Sequence, residues 1–259
     1  MIDLHSHILP GIDDGPGTLD ESLEMAQAYE RGGFTEVVAT PHWISGTGWM
    51  PAAMEVMKKV SALNQALIAR QSGVRVHAGM EIAFDPDIAR MLAQETVLPL
   101  AGGSYVLIES PFQRFPMGWA QVFSAVLSKG YKILLAHPER CEQVIAEPLF
   151  VQALLEAGVY LQVNCDAFLG NYGTFVQKTA VFLASKGYVH CVATDSHDPV
   201  SRSPANFFDA LRYIEKLVGP ENCRALAFEN PGRVLSGDAF IMPALARPET
   251  LRINRWKFW

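Results

Sequence analysis

Seven times along this chain of 259 residues, a short β-branched apolar run gives way to a stretch of helical period. The runs "MIDLHSHI", "TEVVATPH", "VRVHAGMEI", "SYVLIES", "YKILLAHPER", "VYLQVN" and "VHCVATDSH" lead into helical stretches at 18–31, 52–71, 85–94, 118–129, 147–157, 175–186 and 203–218. Nearly continuous apolar runs belong to strands buried on both faces, and strict strand–helix alternation means an α/β fold with a parallel sheet. The first helix carries its own start and stop signals. Thr18 is placed to cap it, Glu21 completes a capping box, and Gly32-Gly33 closes it. Seven units without a Rossmann glycine fingerprint favour a closed or nearly closed barrel over an open doubly wound sheet.

Linkers, internal repeats and low-complexity segments are absent from the pattern, so residues 1–259 are expected to form one domain with a less regular tail after Pro231. That tail ends in "LRINRWKFW", which mixes Arg252, Arg255 and Lys257 with Trp256, Phe258 and Trp259. It reads as an aromatic segment packed on the protein or its neighbour, with contact to a membrane surface or partner as the alternative. Hydrophobic residues make up 49% and charged residues 19%, enough apolar material for a sizeable core. A net charge of -6 argues against nucleic acid as the main partner. No apolar stretch reaches the roughly 18 residues of a membrane span, and "MIDLHSHILP" lacks the basic start of a signal peptide. The expectation is a soluble, cytoplasmic protein without stable membrane insertion.

Histidines and acids gather where the strands end. His5 and His7 close the first run, His42 the second, Glu81 the third, Glu109 the fourth, His137 the fifth, and Asp195 and His197 the seventh. In a parallel barrel all strand C-termini open on one face, where such enzymes place their chemistry. Six of the seven runs therefore deliver metal-binding side chains to one rim, while His77 and His190 lie earlier in their strands, away from it. Such a cluster of imidazoles and carboxylates calls for cations. The donors are nitrogen and oxygen without thiolate, which suits Mn²⁺, Fe²⁺ or Zn²⁺, and their number implies two or three ions. Paired ions of this kind serve displacement at phosphorus. The cysteines Cys141, Cys165, Cys191 and Cys223 form no CxxC pair and are expected to be reduced and buried. A thiol phosphatase would need C-x5-R, and the sixth residues after these cysteines are Glu147, Asn171, His197 and Glu229.

"HSHILPGIDDGP", "GMEI", "AHPER" and "TDSH", with "FENPGRVL" near the end, resemble the PHP (polymerase and histidinol phosphatase) superfamily. Within it they are similar to the CpsB/YwqE branch of bacterial protein-tyrosine phosphatases that regulate capsule and exopolysaccharide synthesis. The resemblance implies a distorted (β/α)7 barrel and a trinuclear site, with Mn²⁺ the expected metal. His5, His7, Glu81 and Asp195 would hold one ion, and Glu81 would bridge to a second completed by Glu109 and His137. Asp14, His42 and His197 would hold the third. Asp13 is expected to serve the turn by bonding its own backbone. Arg140 and Arg202 match the family's phosphate-binding positions, and the attacking group would be a metal-bridging hydroxide, with His197 or Asp14 the candidates to protonate the leaving oxygen. The implied partner is a phosphotyrosine protein, a cognate bacterial tyrosine kinase. The loops "HWISGTGWMP" and "SPFQRFPMGW" match no pattern. Their Trp43, Trp49, Phe112, Phe115 and Trp119 are candidates to stack on a substrate ring or to pack the core. A small-molecule phosphatase of the histidinol-phosphatase type is the rival enzyme, and a non-catalytic metal-binding regulatory barrel the rival outside catalysis.

Overall fold

The strands all run parallel, as their apolar continuity requires. A computed structural model describes residues 1–242 of the chain, so "LRINRWKFW" lies outside the described residues. Strands β1 (Ile2–Ser6), β2 (Glu36–Ala39) and β4 (Arg75–Ala78) form one sheet. Strands β3 (His42–Trp43), β5 (Glu81–Ala83), β6 (Tyr105–Glu109), β7 (Lys132–Ala136), β8 (Tyr160–Asn164) and β9 (Cys191–Ala193) form the other. The second and third apolar runs, each expected as one strand, are broken: β2 and β3 are separated by Thr40-Pro41, and β4 and β5 by Gly79-Met80. Pro41 cannot donate to a ladder, yet its carbonyl accepts from Glu81 N–H at 3.1 Å and carries the pairing across the break. A Cβ at Gly79 would stand 3.0 Å from Val38 Cγ1 and 3.1 Å from Leu100 Cδ2, so only glycine fits that crossing without displacing its neighbours.

The first and last strands meet at their C-terminal ends. Asp195 N–H donates to His5 C=O at 2.9 Å, and His7 N–H donates to Ser196 C=O at 2.9 Å. Lower down, the buried Asp3 carboxylate stands in for the ladder, accepting from Thr194 N–H (3.0 Å) and the Tyr29 hydroxyl (2.6 Å). The parallel strands thus follow one another round to a seam between β9 and β1.

Alternation then sorts the side chains. Val37, Val106, Ile108, Ile133, Leu135, Leu161, Val163 and Val192 face the helices in the main core. Leu4, Val38, Tyr105, Leu107, Leu134, Ala136 and Cys191 fill a second, inner cluster, closed from below by Val234 and Phe240. Helix Leu19–Arg31 has the capping box read from the sequence, and Ala53–Ala69, Trp119–Ser128, Thr174–Ser185 and Phe207–Val218 follow the expected positions. The expected helix at 147–157 begins instead with a 3-10 turn, Pro148–Phe150, before Val151–Glu156. The region after Pro231 is more regular than its sequence suggests, because helix Asn230–Ser236 runs through it.

Phe240 lies against Tyr105, Tyr160 and His190 and is 7% exposed. Phe240→Ala should therefore cost about 3–5 kcal/mol, as emptied aromatic sites do, and Phe240→Leu markedly less. Denaturant unfolding of the two variants against the parent checks this; equal midpoints in all three would show that the plug carries no stability.

Candidate metal centre

Period-2 alternation continues from the inner cluster to the rim. On β6 it runs from Tyr105 and Leu107 to Glu109, and Glu81 and His42 lie in register with this row, His42 opposite Glu81 and Glu81 opposite Leu107. Two ligand positions, His5 and His137, break the period, and a third, Asp195, shares the backbone conformation of His137. The pairing of β1 shifts register between Asp3 and Ser6, so that Leu4 joins the inner cluster and the very next side chain, His5, also reaches inward to Gln162. His137 follows β7 with φ 35°, and Asp195 follows β9 with φ 53°. Left-handed backbone is uncommon for residues with a Cβ and is concentrated at functional sites.

Four atoms come together at the centre. His5 Nε2 and His7 Nε2 are 3.3 Å apart. Glu81 Oε2 lies 3.3 Å from the first and 3.4 Å from the second. Asp195 Oδ1 lies 3.4 Å from both imidazole nitrogens. Two donors held about 2.0–2.1 Å from one divalent ion at tetrahedral angles stand about 3.3–3.4 Å apart, as each of these five pairs does. The tautomers suit this. His5 Nδ1 is 2.9 Å from the Gln162 carbonyl oxygen, and His7 Nδ1 is 2.7 Å from Asp13 Oδ2. Each ring therefore donates outward from Nδ1, which leaves Nε2 as the atom an ion would take on displacing its proton.

The remaining candidates extend the cluster on both sides. His137 Nε2 is 2.8 Å from Glu81 Oε1, and His42 Nδ1 is 3.0 Å from Glu81 Oε2. Glu109 is close enough to His42 and Glu81 to share an ion with them, and His137 to share one with His5 and Asp195. Asp14 Oδ1 lies 3.2 Å from His197 Nε2 and 3.4 Å from His42 Nε2, with His7 completing that group. Four buried atoms here, His42 Nδ1, Glu81 Oε2, His137 Nδ1 and His197 Nε2, have no hydrogen-bond partner. Buried polar atoms left without a hydrogen bond are costly unless cations satisfy them, so the residues present fit divalent ions.

Asp13 does more than close its turn. Its Oδ1 accepts from Gly15 N–H at 3.0 Å, as expected, while Oδ2 orients His7 and accepts from His42 N–H at 3.1 Å. Gly15 lets this loop lie flat on β1, since a Cβ there would fall 2.1 Å from His7 C=O. Gln162 and Asn164 on β8 were not singled out by sequence. They form a relay: Gln162 takes His5 Nδ1–H, Gln162 Nε2 donates to Asn164 Oδ1 (2.8 Å), and Asn164 Nδ2 donates to Asp195 Oδ2 (2.7 Å). Two amides two residues apart in an otherwise apolar strand were the available signal.

Arg140 Nη1 and Arg202 Nη2 reach that same Asp195 Oδ2, at 3.2 and 3.1 Å. Arg202 is returned to the rim by a tight loop in which Asp198 accepts from the N–H groups of Val200, Ser201 and Arg202. The loop aromatics divide. Trp43 and Phe115 are buried, and Trp119 packs against Phe123 and Phe150. Trp49 stacks on His42 (5.3 Å), and Phe112 on His137 (6.0 Å), both partly open to solvent. His77 pairs with Glu36, and His190 packs beneath the barrel on Tyr160, away from the rim as expected.

The charges are strongly coupled. Burial alone would raise the pKa of Glu81 and Asp195, but the surrounding imidazoles, His5 foremost, hold both carboxylates well below their ordinary range. Burial opposes a charge on His5, yet Glu81 and Asp195 overcome it and lift His5 to about 9. Glu109 is pushed up to about 7 by burial and by the charge of Glu81. All four cysteines are free and buried, and burial pushes the Cys191 thiol far up, leaving it unsuited to act as a thiolate.

The chain is similar to known proteins over most of its length. Residues 1–236 match the family model for capsular polysaccharide synthesis, CpsB/CapC. The chain is 34% identical over 223 residues to the tyrosine-protein phosphatase YwqE of Bacillus subtilis (strain 168), spanning 85% of this chain and 86% of the relative. It is 28% identical over 244 residues to the tyrosine-protein phosphatase CpsB of Streptococcus agalactiae serotype III, spanning 91% and 98%. It superposes with a TM-score of 0.89 and 32% identity on a crystal structure from work on YwqE of Bacillus subtilis and CpsB of Streptococcus pneumoniae, described as metal-dependent tyrosine phosphatases; 96% of this chain and 99% of that one are covered.

Because His5 carries a proton below about pH 9 in the metal-free site, an entering ion must displace it. Metal affinity should rise with pH toward 9 and fall as pH drops, and loading at pH 7 should release protons. Titration of the metal-free protein with Mn²⁺ in buffers of different ionisation enthalpy measures the release. No release, with full binding, would contradict the charge balance described.

Proposed function

This chain belongs to the CpsB/CapC family of capsular polysaccharide synthesis, and from that we propose that it is a metal-dependent protein-tyrosine phosphatase. The single observation that carries the reading is the Asp195 carboxylate. One oxygen lies beside the imidazoles of His5 and His7, and the other is met by both arginines. A phosphate drawn to the metal cluster would lie within reach of two guanidinium groups. His5, His7, Asp14, His42, Glu81, Glu109, His137, Asp195 and His197 would hold two or three divalent ions, which would supply Lewis acidity and a water of lowered pKa. The nitrogen–oxygen donor set suits Mn²⁺, with Fe²⁺ and Zn²⁺ compatible.

The chain's own residues do the rest. Arg140 and Arg202 offer planar forks matched to phosphate oxygens and gather the charge that develops in the transition state. Asp14, held below its ordinary range despite partial burial, chiefly by His197, is ionised and has no proton to give. His197 is itself held below its ordinary range by burial and by the charge of His7, so neither candidate has a ready proton, and a phenolate of pKa about 10 departs with little help. We assign the phosphoprotein to a bacterial tyrosine kinase of capsule or exopolysaccharide synthesis, supported by the family's role. Four free, buried cysteines support a reducing, cytoplasmic location. Among the described residues no helix is long and apolar enough to cross a membrane.

Arg140→Ala and Arg202→Ala should each lose roughly 2–4 kcal/mol of transition-state stabilisation, by analogy with lost oxyanion donors, and keep their metal. His137→Ala should lose metal and rate together. Steady-state kinetics on a phosphotyrosine peptide and on histidinol phosphate, with metal analysis, separate these outcomes. Full activity in the arginine variants, turnover that survives complete chelation, or a preference for histidinol phosphate would each defeat the reading. Cys191→Ser should turn over at close to the parent rate; a folded but inactive variant would point to thiol chemistry instead.

A further inference from the structure

The Arg140 guanidinium is fixed at one end only. Nη1 makes one hydrogen bond, to an Asp195 oxygen that also receives Arg202 and Asn164. A single shared bond of 3.2 Å leaves the plane of the fork free to turn about it. Two aromatic rings from separate loops approach the same guanidinium. Its central carbon is 5.0 Å from the Phe112 ring and 4.8 Å from the Tyr172 ring. Packing into the core does not account for Phe112, which is 49% exposed. Tyr172 lies in a short turn between Gly170 (φ 84°) and Gly173 (φ 91°), conformations that fix where its ring is offered. The Tyr172 ring also packs against the main core, and its buried hydroxyl makes no well-aligned hydrogen bond. What the two rings share is the cation.

We propose that Phe112 and Tyr172 are positioning residues that brace Arg140, setting the plane in which its fork meets a phosphate. This rests on the phosphatase reading above and names a part of that site which the metal-ligand pattern does not contain. Guanidinium groups stack on aromatic faces by attraction to the ring quadrupole. A braced fork also loses less freedom when it binds.

The test uses the metal-loaded full chain and inorganic phosphate as a competitive inhibitor, because phosphate has no ring for Phe112 to stack on. Phe112→Leu and Tyr172→Leu should each weaken phosphate inhibition by about fivefold to tenfold, the scale of one cation–π contact. Tyr172→Phe and Phe112→Tyr, which keep the rings, should stay within about twofold, and metal stoichiometry should be unchanged in all four. In an Arg140→Ala background the leucine substitutions should add nothing. Phe112, half exposed at the rim, keeps the test open should Tyr172→Leu fail to fold. Leucine variants that raise KM for the peptide while phosphate inhibition is unaltered would overturn the proposal, because the rings would then touch substrate. Loss of metal in Phe112→Leu would overturn it as well, since the ring would be acting through His137. Unaltered phosphate inhibition in Arg140→Ala would remove the clamp and the brace together. A loss there with unaltered leucine variants would remove the brace alone.

Discussion

Two backbone hydrogen bonds, Asp195 N–H to His5 C=O and His7 N–H to Ser196 C=O, hold the first strand against the last. The rim depends on them. They bring residues about 190 positions apart into one ligand set, and no local propensity could do so. Loop-closure entropy makes such a contact expensive in chain freedom, and the buried support beneath it is correspondingly dense. The Asp3 carboxylate takes bonds from Tyr29 and Thr194, and Ser196 leans on Thr194 in turn. Burial would neutralise a lone carboxylate there, but these donors offset part of that penalty, and Asp3 is raised only against their pull.

At the rim itself the ordering principle is that three imidazoles turn their Nδ1 hydrogen bonds away from one small volume. Asp13, Gln162 and the carbonyl of Asp195 engage the Nδ1 atoms of His7, His5 and His197. The other ring nitrogens are left to converge with carboxylate oxygens. Side chains that never touch an ion thus decide whether one can bind. Asp195 extends the same logic outward. Its second oxygen ties the metal cluster to Arg140, Arg202 and the Asn164–Gln162 relay. On the proposed function, cation and anion would therefore share one carboxylate, and movement at either would be felt at the other.

Much of this was legible in the sequence because it follows from period. Apolar runs gave the parallel strands, the Thr18–Glu21 pair gave a helix start, and strand ends gave the histidines and acids of the rim. Four features were not legible, each for a physical reason. The breaks in the second and third strands depend on Gly79 fitting between Val38 and Leu100, a tertiary contact. Gln162 and Asn164 carry no charge and resemble strand filler until the opposite wall of the barrel is in place. Asp13 could be read as a turn residue because it is one, and its second oxygen acquires a role only when His7 and His42 are folded around it. The loop aromatics were likewise undecided by sequence, since nothing local separates a buried Phe115 from an open Phe112.

The left-handed backbone at His137 and Asp195 has a bearing on how such a site can change. Aspartate and histidine are among the few residues with a Cβ that enter this region readily. Ligand identity at these two places is thus chosen by the chain before any ion arrives. A lengthened carboxylate at 195 would meet resistance from φ and ψ as well as from coordination distance. Drift in ligand type, and with it in metal preference, is therefore easier at His42, Glu81 or Glu109, which sit on ordinary strand backbone, than at the two corners where the strands of the barrel stop.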